Sequence, residues 1–226
     1  MKKKAVVIHS GGLDSSLCLA LAAREFGPSE VLSISFCYGQ RHKPEITQAE
    51  KICKTWGIDH MLLNIDCLEK ITESALIGHS IPMNQEDGKA ANTLVMGRNG
   101  LMVRLGAIHA QHLGAHYIYT GIIEVDAKKM GYRDCTRAYM DLKQEILRQD
   151  LGDPMLEIRT PLVYMSKKET LELSYSLGIL PFLLQESISC YEGKKLQGCG
   201  NCFSCEIRNN AIAEFLSEHK EFPAPF

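Results

Sequence analysis

Near its start the chain passes from a short apolar run, through a polar glycine-containing turn, into a helical pattern. The run Ala5–Ile8 is β-prone and is followed by residues 10–15, with the sequence SGGLDS. Residues 17–26 then have the composition of a helix. A strand, a tight turn and a helix in this order leave the first backbone N–H groups of the helix unpaired. Such a turn can bind an anion, and phosphate is the usual one.

The residues around this turn are the candidate nucleotide-binding set. Two adjacent glycines let the backbone approach a phosphate closely, and the serine hydroxyls add hydrogen-bond donors. No lysine follows the second glycine, so the turn differs from the Walker loop that binds a γ-phosphate. The alternative is a structural turn in which Asp14 or Ser15 caps the helix. The candidate residues are His9, Ser10, Gly11, Gly12, Leu13, Asp14, Ser15 and Ser16.

Strand-like and helix-like segments alternate along most of the chain, which predicts an α/β fold. The strand-like segments are short continuous apolar runs, as expected where helices cover both faces of a parallel sheet. We therefore expect a doubly wound, five-stranded parallel sheet with its ligand crevice at the carboxyl ends of the strands. The predicted strands are 5–9, 31–36, 60–64, 117–120 and 156–159, and the predicted helices are 14–26, 44–56, 100–113, 135–149 and 166–177.

Four cysteines in the carboxyl-terminal part of the chain have the spacing of a metal site. Cys190, Cys199, Cys202 and Cys205 form the pattern C-x8-C-x2-C-x2-C, with glycines on both sides of the second cysteine. Two-residue gaps bring successive thiolates to one ion, and four sulfurs close a tetrahedral Zn²⁺ site. An iron–sulfur cluster is the alternative, because C-x2-C-x2-C also occurs in ferredoxin-type sequences. We expect structural zinc.

Length and composition are those of an ordinary globular protein. The 226 residues can bury a sizeable core, and we expect an α/β domain over 1–180 and a small zinc-binding helical appendage over 181–226. The formal net charge of −2 gives no attraction to nucleic acid or membrane. No apolar stretch approaches the roughly 20 residues of a membrane span, and the run behind the first lysines is too short for a signal peptide. Nine cysteines, an odd count, favour free thiols and a cytoplasmic location.

Short polar motifs lie near the ends of several predicted strands. YGQRH at 38–42 follows the second strand, GRN at 97–99 precedes the helix before the fourth strand, and GYRDC at 131–135 follows the fourth strand. Together with SGGLDS at 10–15, SCY at 189–191 and the spaced cysteines, they form an ordered set. On these motifs the chain resembles the 7-cyano-7-deazaguanine synthases, which are N-type ATP pyrophosphatases, over essentially its whole length.

The resemblance implies a fold similar to the adenine nucleotide alpha hydrolases and a reaction in two stages. Members of the family adenylate the carboxylate of 7-carboxy-7-deazaguanine with ATP, and ammonia displaces AMP to give an amide. A second ATP-dependent activation dehydrates the amide to the nitrile. The implied cofactors are ATP, Mg²⁺ and structural Zn²⁺, and the implied assembly is a homodimer without a membrane partner.

The family's functional residues can be placed on this sequence motif by motif. The phosphate turn would hold ATP with Mg²⁺ bridging, and Lys167 would offset the charge of the departing pyrophosphate. Polar residues at helix starts are common, so Arg98, Asn99 and Asp134 could instead cap helices. The candidate catalytic residues are Asp14, Ser15 and Lys167. The candidate substrate residues are Tyr38, Gln40, Arg41, Arg98, Asn99, Asp126, Tyr132 and Asp134.

The chain departs from the family pattern beside the expected acyl centre. Four residues separate Asp126 from Gly131, more than is usual in the family, and Arg133 stands where proline is typical. Two hypotheses follow. The chain is either a synthase that uses ammonia, or a paralogue that passes the activated carboxylate to another amine. A protein N-terminus is one such amine, as synthase-like proteins of bacterial defence islands suggest, and Lys128 and Lys129 could then widen an entry for it.

Two further readings belong to other classes. A tRNA-thiolating enzyme with the same phosphate loop would need a basic face for RNA, and a zinc-dependent RNA-binding module would need a basic stripe with aromatic residues. The sequence contains neither feature, and its charge balance is slightly acidic. Both readings are therefore disfavoured.

Overall fold

The computed structural model describes residues 2–39, 44–77, 81–84 and 89–223, apart from the side chain of Asp126. Gln40 and Arg41, two of the predicted substrate residues, lie outside the described residues. The strands are β1 Ala5–Ile8, β2 Val31–Cys37, β3 Asp59–Asn64, β4 Tyr117–Thr120 and β5 Glu157–Arg159. The α-helices are α1 Leu13–Phe26, α2 Pro44–Trp56, α3 Cys67–Ile71, α4 Arg98–Leu113, α5 Glu124–Met130, α6 Arg137–Leu151, α7 Lys167–Ser176, α8 Leu180–Glu186 and α9 Phe203–Glu218.

The five strands form one parallel sheet in the order β3-β2-β1-β4-β5. The chain runs outward from β1 to β3 on one side, and then returns to build β4 and β5 on the other. The direction of winding therefore reverses between β1 and β4, and a ligand crevice is expected outside the carboxyl ends of these two strands. The predicted doubly wound five-stranded sheet is confirmed.

Different helices cover the two faces of the sheet, because successive side chains of a strand point to opposite faces. Val6 of β1 belongs to an apolar cluster with residues of α4 and with Met140 of α6. Its neighbour Val7 belongs to the opposite cluster, with residues of α1 and with Ile52 of α2. Both valines are fully buried. The strands are thus apolar on both sides, which is why they read as continuous apolar runs.

A third apolar cluster joins the start of α1 to the carboxyl-terminal helices. Leu13, the first residue of α1, is buried there with Leu171 of α7, Leu184 of α8 and Phe215 of α9. The segment that carries the spaced cysteines is therefore packed next to the phosphate turn. This contact is what places both ends of the chain at the same crevice.

The predicted elements agree with the structure to within two residues at each end, but the sequence analysis set no bounds for four further helices. α3, α5 and α8 have five to seven residues, too few for an apolar period to be recognised. α9 lies in the segment 181–226, which is predicted to be a helical appendage but without bounds for its helices. Among the described residues, no helix is both long and apolar enough to cross a membrane.

Replacing Ile118 with alanine should destabilise the fold strongly. Ile118 is fully buried in β4, an inner strand of the sheet, and removing a buried isoleucine side chain leaves a cavity that costs about 2–5 kcal/mol. Urea denaturation measures the loss. Ile71→Ala is the matched control, since Ile71 is 77% exposed and should change the free energy of unfolding by less than about 0.5 kcal/mol. Equal losses in the two variants would contradict the assignment of this core.

Candidate active site

A cavity of about 350 Å³ opens at the carboxyl ends of β1, β2 and β4, where the winding of the sheet reverses. The phosphate turn forms its floor, and Tyr38 and Arg98 stand on one wall. Lys167 and Tyr191, from the carboxyl-terminal half, close another wall. The cavity is large enough for a small ligand and combines apolar surface with a few charged groups, as binding sites do.

The phosphate turn has the backbone shape that its glycines predict. Gly11 has φ of +83°, and a Cβ there would lie 2.4 Å from the backbone carbonyl oxygen of Glu45. Gly12 precedes α1 and has no side chain to cap that helix, so Gly12 covers none of the first N–H groups. The first three residues of α1 all line the cavity. The Gly12 N–H donates to the Ser10 hydroxyl at 3.3 Å, and the Ser10 and Ser15 hydroxyls share a hydrogen bond of 3.0 Å. These N–H and hydroxyl groups are therefore positioned to bind an anion.

Asp14 and Lys167 form an ion pair on the cavity wall, with 2.5 Å between Lys167 Nζ and Asp14 Oδ2. α7 places the lysine, because Ser166 and Glu169 form a capping box that fixes the start of the helix. The other carboxylate oxygen, Asp14 Oδ1, is buried and has no hydrogen-bond partner among the described residues. Mg²⁺ in nucleotide sites binds one or two carboxylates together with phosphate oxygens. Asp14 therefore fits a magnesium ligand.

His9 and Ser16 lie behind the turn and support it. The Ser16 hydroxyl is 2.7 Å from the Gly12 carbonyl oxygen and must donate its proton there. His9 Nε2, 3.0 Å from the same hydroxyl, is therefore the N–H donor of the ring. Burial lowers the pKa of His9 to about 3, so the ring is neutral and Nδ1 keeps its lone pair.

The eight predicted nucleotide-binding residues thus divide into two groups. Residues from His9 to Ser15 line the cavity except for Gly11, which packs against α2. Ser16 is fully buried away from the cavity, and the side chain of Leu13 lies in the third apolar cluster. The backbone N–H of Leu13 donates to the Ser189 hydroxyl at 3.3 Å, which ties the carboxyl-terminal segment to the turn.

A second positive charge, that of Arg98, is held on the lining of the same cavity. Arg98 Nη1 donates to the Tyr38 hydroxyl at 3.0 Å, and the guanidinium carbon lies 5.3 Å from the centre of the Tyr38 ring. The ring positions the guanidinium by a cation–π contact. Arg98 can therefore present a fixed cation to a carboxylate or a phosphate in the cavity.

Asn99 and Asp134 form a second polar unit at the start of α4. The Asp134 carboxylate accepts the backbone N–H of Asn99 and its side-chain amide N–H, both at 3.1 Å. Asp134 is buried and does not line the cavity, whereas Asn99 does. Asp134 does not cap α6, the helix that follows it, because Thr136 does so. Asp134 instead caps α4, and by doing so it positions Asn99 on the wall. Tyr132 also lines the cavity and shares a 2.5 Å hydrogen bond with Thr93.

The extra residues before Gly131 fold as part of α5. Ala127 and Met130 are buried and line the cavity. Lys128 points away from it and pairs with Glu124 at 2.6 Å, with 69% of its side chain exposed. The insertion thus adds apolar wall to the cavity. Asp126, a predicted substrate residue, belongs to α5, but its side chain is outside the described part of the chain.

Glu45 is a cavity residue that the sequence analysis missed. It lies in the first turn of α2 and faces the same cavity as Arg98. Burial raises the pKa of its carboxyl to about 8, although the charge of Arg98 acts in the opposite direction. An acidic residue closely following the YGQRH motif at a strand end was the available signal. The carboxyl can gain or lose a proton near neutral pH.

The four spaced cysteines converge as predicted. Their Sγ atoms all lie within 4.8 Å of one another, and Cys199 Sγ is 3.9 Å from Cys205 Sγ. A Cβ on Gly198 would lie 2.3 Å from Cys205 Sγ, so only glycine fits beside the cluster. Backbone N–H groups donate to Cys199 Sγ, as they do around metal-bound thiolates. The four sulfur atoms therefore fit a metal ion. Phe203, which follows Cys202 at the start of α9, lines the cavity and so connects the cluster with it.

Replacing Glu45 with glutamine should stabilise the protein increasingly as pH rises from about 4.5 to about 8. In this range the unfolded chain has lost the Glu45 proton and the folded chain has kept it, so wild-type stability falls with pH. Glutamine cannot ionise and escapes this cost, which is at most about 1.4 kcal/mol per pH unit. Thermal unfolding over this range measures the difference. Glu50→Gln, an exposed position on the same helix, is the control, and a difference independent of pH would contradict the prediction.

Comparison with known proteins is consistent with this architecture. An NH3-dependent NAD synthetase from Campylobacter jejuni superposes with a TM-score of 0.51 and 14% identity, covering 81% of this chain and 67% of its own. An NMN synthetase from Francisella tularensis gives 0.52 and 16%, covering 97% and 85%. At such identities the likeness shows the fold alone. The family model of the queuosine biosynthesis protein QueC matches residues 4–216. The chain therefore belongs to the QueC family and is an ATP-using enzyme.

Proposed function

We propose that the protein adenylates the carboxylate of 7-carboxy-7-deazaguanine with ATP and transfers the acyl group to nitrogen. One observation supports this most directly. The phosphate turn, the Asp14–Lys167 ion pair and the Arg98 guanidinium all face one cavity. A nucleoside triphosphate and a carboxylate can then be held side by side, and positioning supplies much of the rate of such a reaction.

In the first step a carboxylate oxygen attacks the α-phosphorus of ATP, and pyrophosphate leaves. Lys167 and the N–H groups of the phosphate turn would stabilise the charge that develops on the pyrophosphate. Asp14 would hold Mg²⁺ through its unpartnered Oδ1, and the ion offsets phosphate charge when bound. The Ser10 and Ser15 hydroxyls would exchange their mutual hydrogen bond for phosphate oxygens.

In the second step ammonia attacks the acyl carbon, AMP leaves and a proton is lost, which gives the amide. The amide oxygen then attacks the α-phosphorus of a second ATP, pyrophosphate leaves again and one N–H proton is lost. Loss of AMP and of the second N–H proton gives the nitrile. The Glu45 carboxyl has a pKa of about 8, and in its ionised form it would accept a proton in these steps.

The acceptor would be held mainly by Arg98 and its neighbours on the lining of the cavity. Arg98 would face its carboxylate, while Tyr38, Tyr132 and Asn99 would border its ring system. Asp134 would act through Asn99, because its oxygens are already used in capping α4. Of the remaining predicted substrate residues, Gln40, Arg41 and the side chain of Asp126 belong to the part of the chain that is not described, and their roles stay predictions.

A second candidate, conjugation of the activated carboxylate to another amine, is favoured by α5. The insertion forms part of the cavity wall through Ala127 and Met130, so it can reshape the side of the cavity where nitrogen enters. Lys128 is exposed and its charge lies outside the cavity. It therefore does not support the expected wider entry for a large amine. Ammonia requires the least room, and it remains our first choice of nitrogen donor.

The cysteine cluster is proposed to hold structural Zn²⁺. Four sulfurs within 4.8 Å of one another match the ligands of a single tetrahedral ion, whereas a multi-iron cluster spreads its thiolates over several metal atoms. A closed four-sulfur shell has no open position for water. The ion would thus fix the start of α9, and through it one wall of the cavity.

Replacing Lys167 with methionine should lower kcat/KM for pyrophosphate release by on the order of 10²–10³, as for other donors that stabilise transition-state charge. The assay contains ATP, Mg²⁺ and 7-carboxy-7-deazaguanine. Lys168→Met is the matched control, because Lys168 pairs with Glu218 at the surface and should keep wild-type activity. Thermal unfolding identifies any loss that comes from misfolding. Equal activity in the two folded variants would refute the role of Lys167.

Product identity separates the two candidate reactions, since both consume ATP and release AMP. With ammonium as the only amine, a synthase should convert 7-carboxy-7-deazaguanine through the amide to the nitrile, as detected by mass spectrometry. A conjugating enzyme should stop at the adenylate or the amide under these conditions. Efficient nitrile formation would exclude a specialised conjugating role, while a deazaguanine adduct on a protein amine would exclude the synthase.

A further inference from the structure

A second group of metal-ligating side chains lies directly behind the phosphate turn. It consists of His9 after β1, Ser33 of β2, Cys53 of α2 and His60 of β3. The Ser33 hydroxyl is 3.0 Å from His9 Nδ1 and 3.1 Å from His60 Nδ1. The Cys53 sulfur is 3.6 Å from His9 Nδ1 and 3.7 Å from His60 Nδ1. Two imidazoles, a thiol and a hydroxyl therefore converge on one point.

These distances are close to those between the ligands of a tetrahedral ion. Zn²⁺ bonds of about 2.0 Å to nitrogen and about 2.3 Å to sulfur at tetrahedral angles separate nitrogen from sulfur by about 3.6 Å. Two nitrogen or oxygen ligands of the same ion stand about 3.3 Å apart. Four of the six distances between the donor atoms are thus close to those around one cation, and the donor atoms of His9, Cys53 and His60 all lie within 4.8 Å of one another.

The protonation of His9 also suits a ligand. Because Ser16 donates to the Gly12 carbonyl, His9 carries its proton on Nε2 and directs the Nδ1 lone pair into the group. Metal-binding histidines are usually oriented in this way, by a hydrogen bond from the ring nitrogen that does not bind the metal. His60 Nε2 has no partner among the described residues, so no outside contact holds that ring in a competing tautomer.

We propose that His9, Cys53 and His60, with Ser33 as fourth ligand, form a second metal site for a divalent cation of the zinc class. Two imidazoles and a thiolate are the ligands such cations prefer, and they do not suit Mg²⁺ or Ca²⁺. When the cation binds, the Cys53 sulfur forms the metal bond and its thiol proton leaves to solvent.

The site is coupled to the phosphate turn through one chain of hydrogen bonds. The cation fixes the His9 ring, His9 Nε2 donates to Ser16, and Ser16 donates to the Gly12 carbonyl. Ser16 and His9 are both buried, so this chain is shielded from competition by water. The bound cation would stabilise the fold and the shape of the turn, a structural role and not a catalytic one.

Metal content of the full chain tests the proposal. Wild-type protein is equilibrated with excess Zn²⁺ and desalted, and zinc and iron are counted separately, so that the result does not depend on what the four-cysteine cluster holds. We expect one more zinc per chain in the wild type than in Cys53→Ala or His60→Gln. Cys18→Ala is the matched control, because Cys18 is an equally buried thiol of the same apolar cluster, and it should keep the additional zinc.

Two further measurements keep the result decisive where a variant folds poorly. Co²⁺ bound at the additional site of the wild type should give a sulfur-to-cobalt charge-transfer band. Zn²⁺ should raise the midpoint of thermal unfolding of the wild type and of Cys18→Ala. Two outcomes would show that the group is a closed hydrogen-bonded cluster and that the proposal is wrong. In the first, the wild type binds no more zinc than Cys53→Ala. In the second, it binds more metal but shows no charge-transfer band from the additional thiolate.

Discussion

The close packing of the phosphate turn against the first turn of α2 is the constraint on which the rest of the site depends. Gly11 takes a positive φ there, and the carbonyl of Glu45 occupies the space that a side chain would need. This contact places the start of α1 at the cavity. It also brings Glu45 and the end of β2 to the same cavity, so one glycine connects the phosphate turn with the part of the cavity lined by α2 and β2.

The charges of the cavity are arranged differently from those of the whole protein. The chain has a formal net charge of −2, yet the cavity contains Lys167 and Arg98 and keeps the carboxyl of Glu45 protonated through burial. Asp14 remains as the partner of Lys167. A low-dielectric cavity with this balance favours anionic ligands even though the protein as a whole repels them weakly. The net charge of the sequence could not have shown this.

Features determined by residues close together in the sequence could be predicted, whereas features determined by contacts between distant residues could not. The sheet, the phosphate turn and the four-cysteine cluster follow from local patterns: short apolar runs, two glycines behind a strand, and closely spaced thiols. Glu45 was missed because its place after the YGQRH motif does not show that it lines the same cavity as Arg98. The role of Asp134 in holding Asn99 could not be predicted, because it follows from a contact across 35 positions. The shape of α5 likewise depends on tertiary packing.

The ion pair between Asp14 and Lys167 joins positions 153 residues apart, and the hydrogen bond from Leu13 to Ser189 spans 176. During synthesis the first part of the sheet can form while most of the chain is still being made, since domains begin to fold from their amino-terminal end. The cavity cannot be completed at that stage, because part of its lining comes from segments translated 153 and 176 residues after the turn. A nascent chain that lacks these segments would therefore present the phosphate turn with Asp14 unpaired by Lys167. The completed cavity is thus acquired after the first part of the sheet, as a separate event in folding.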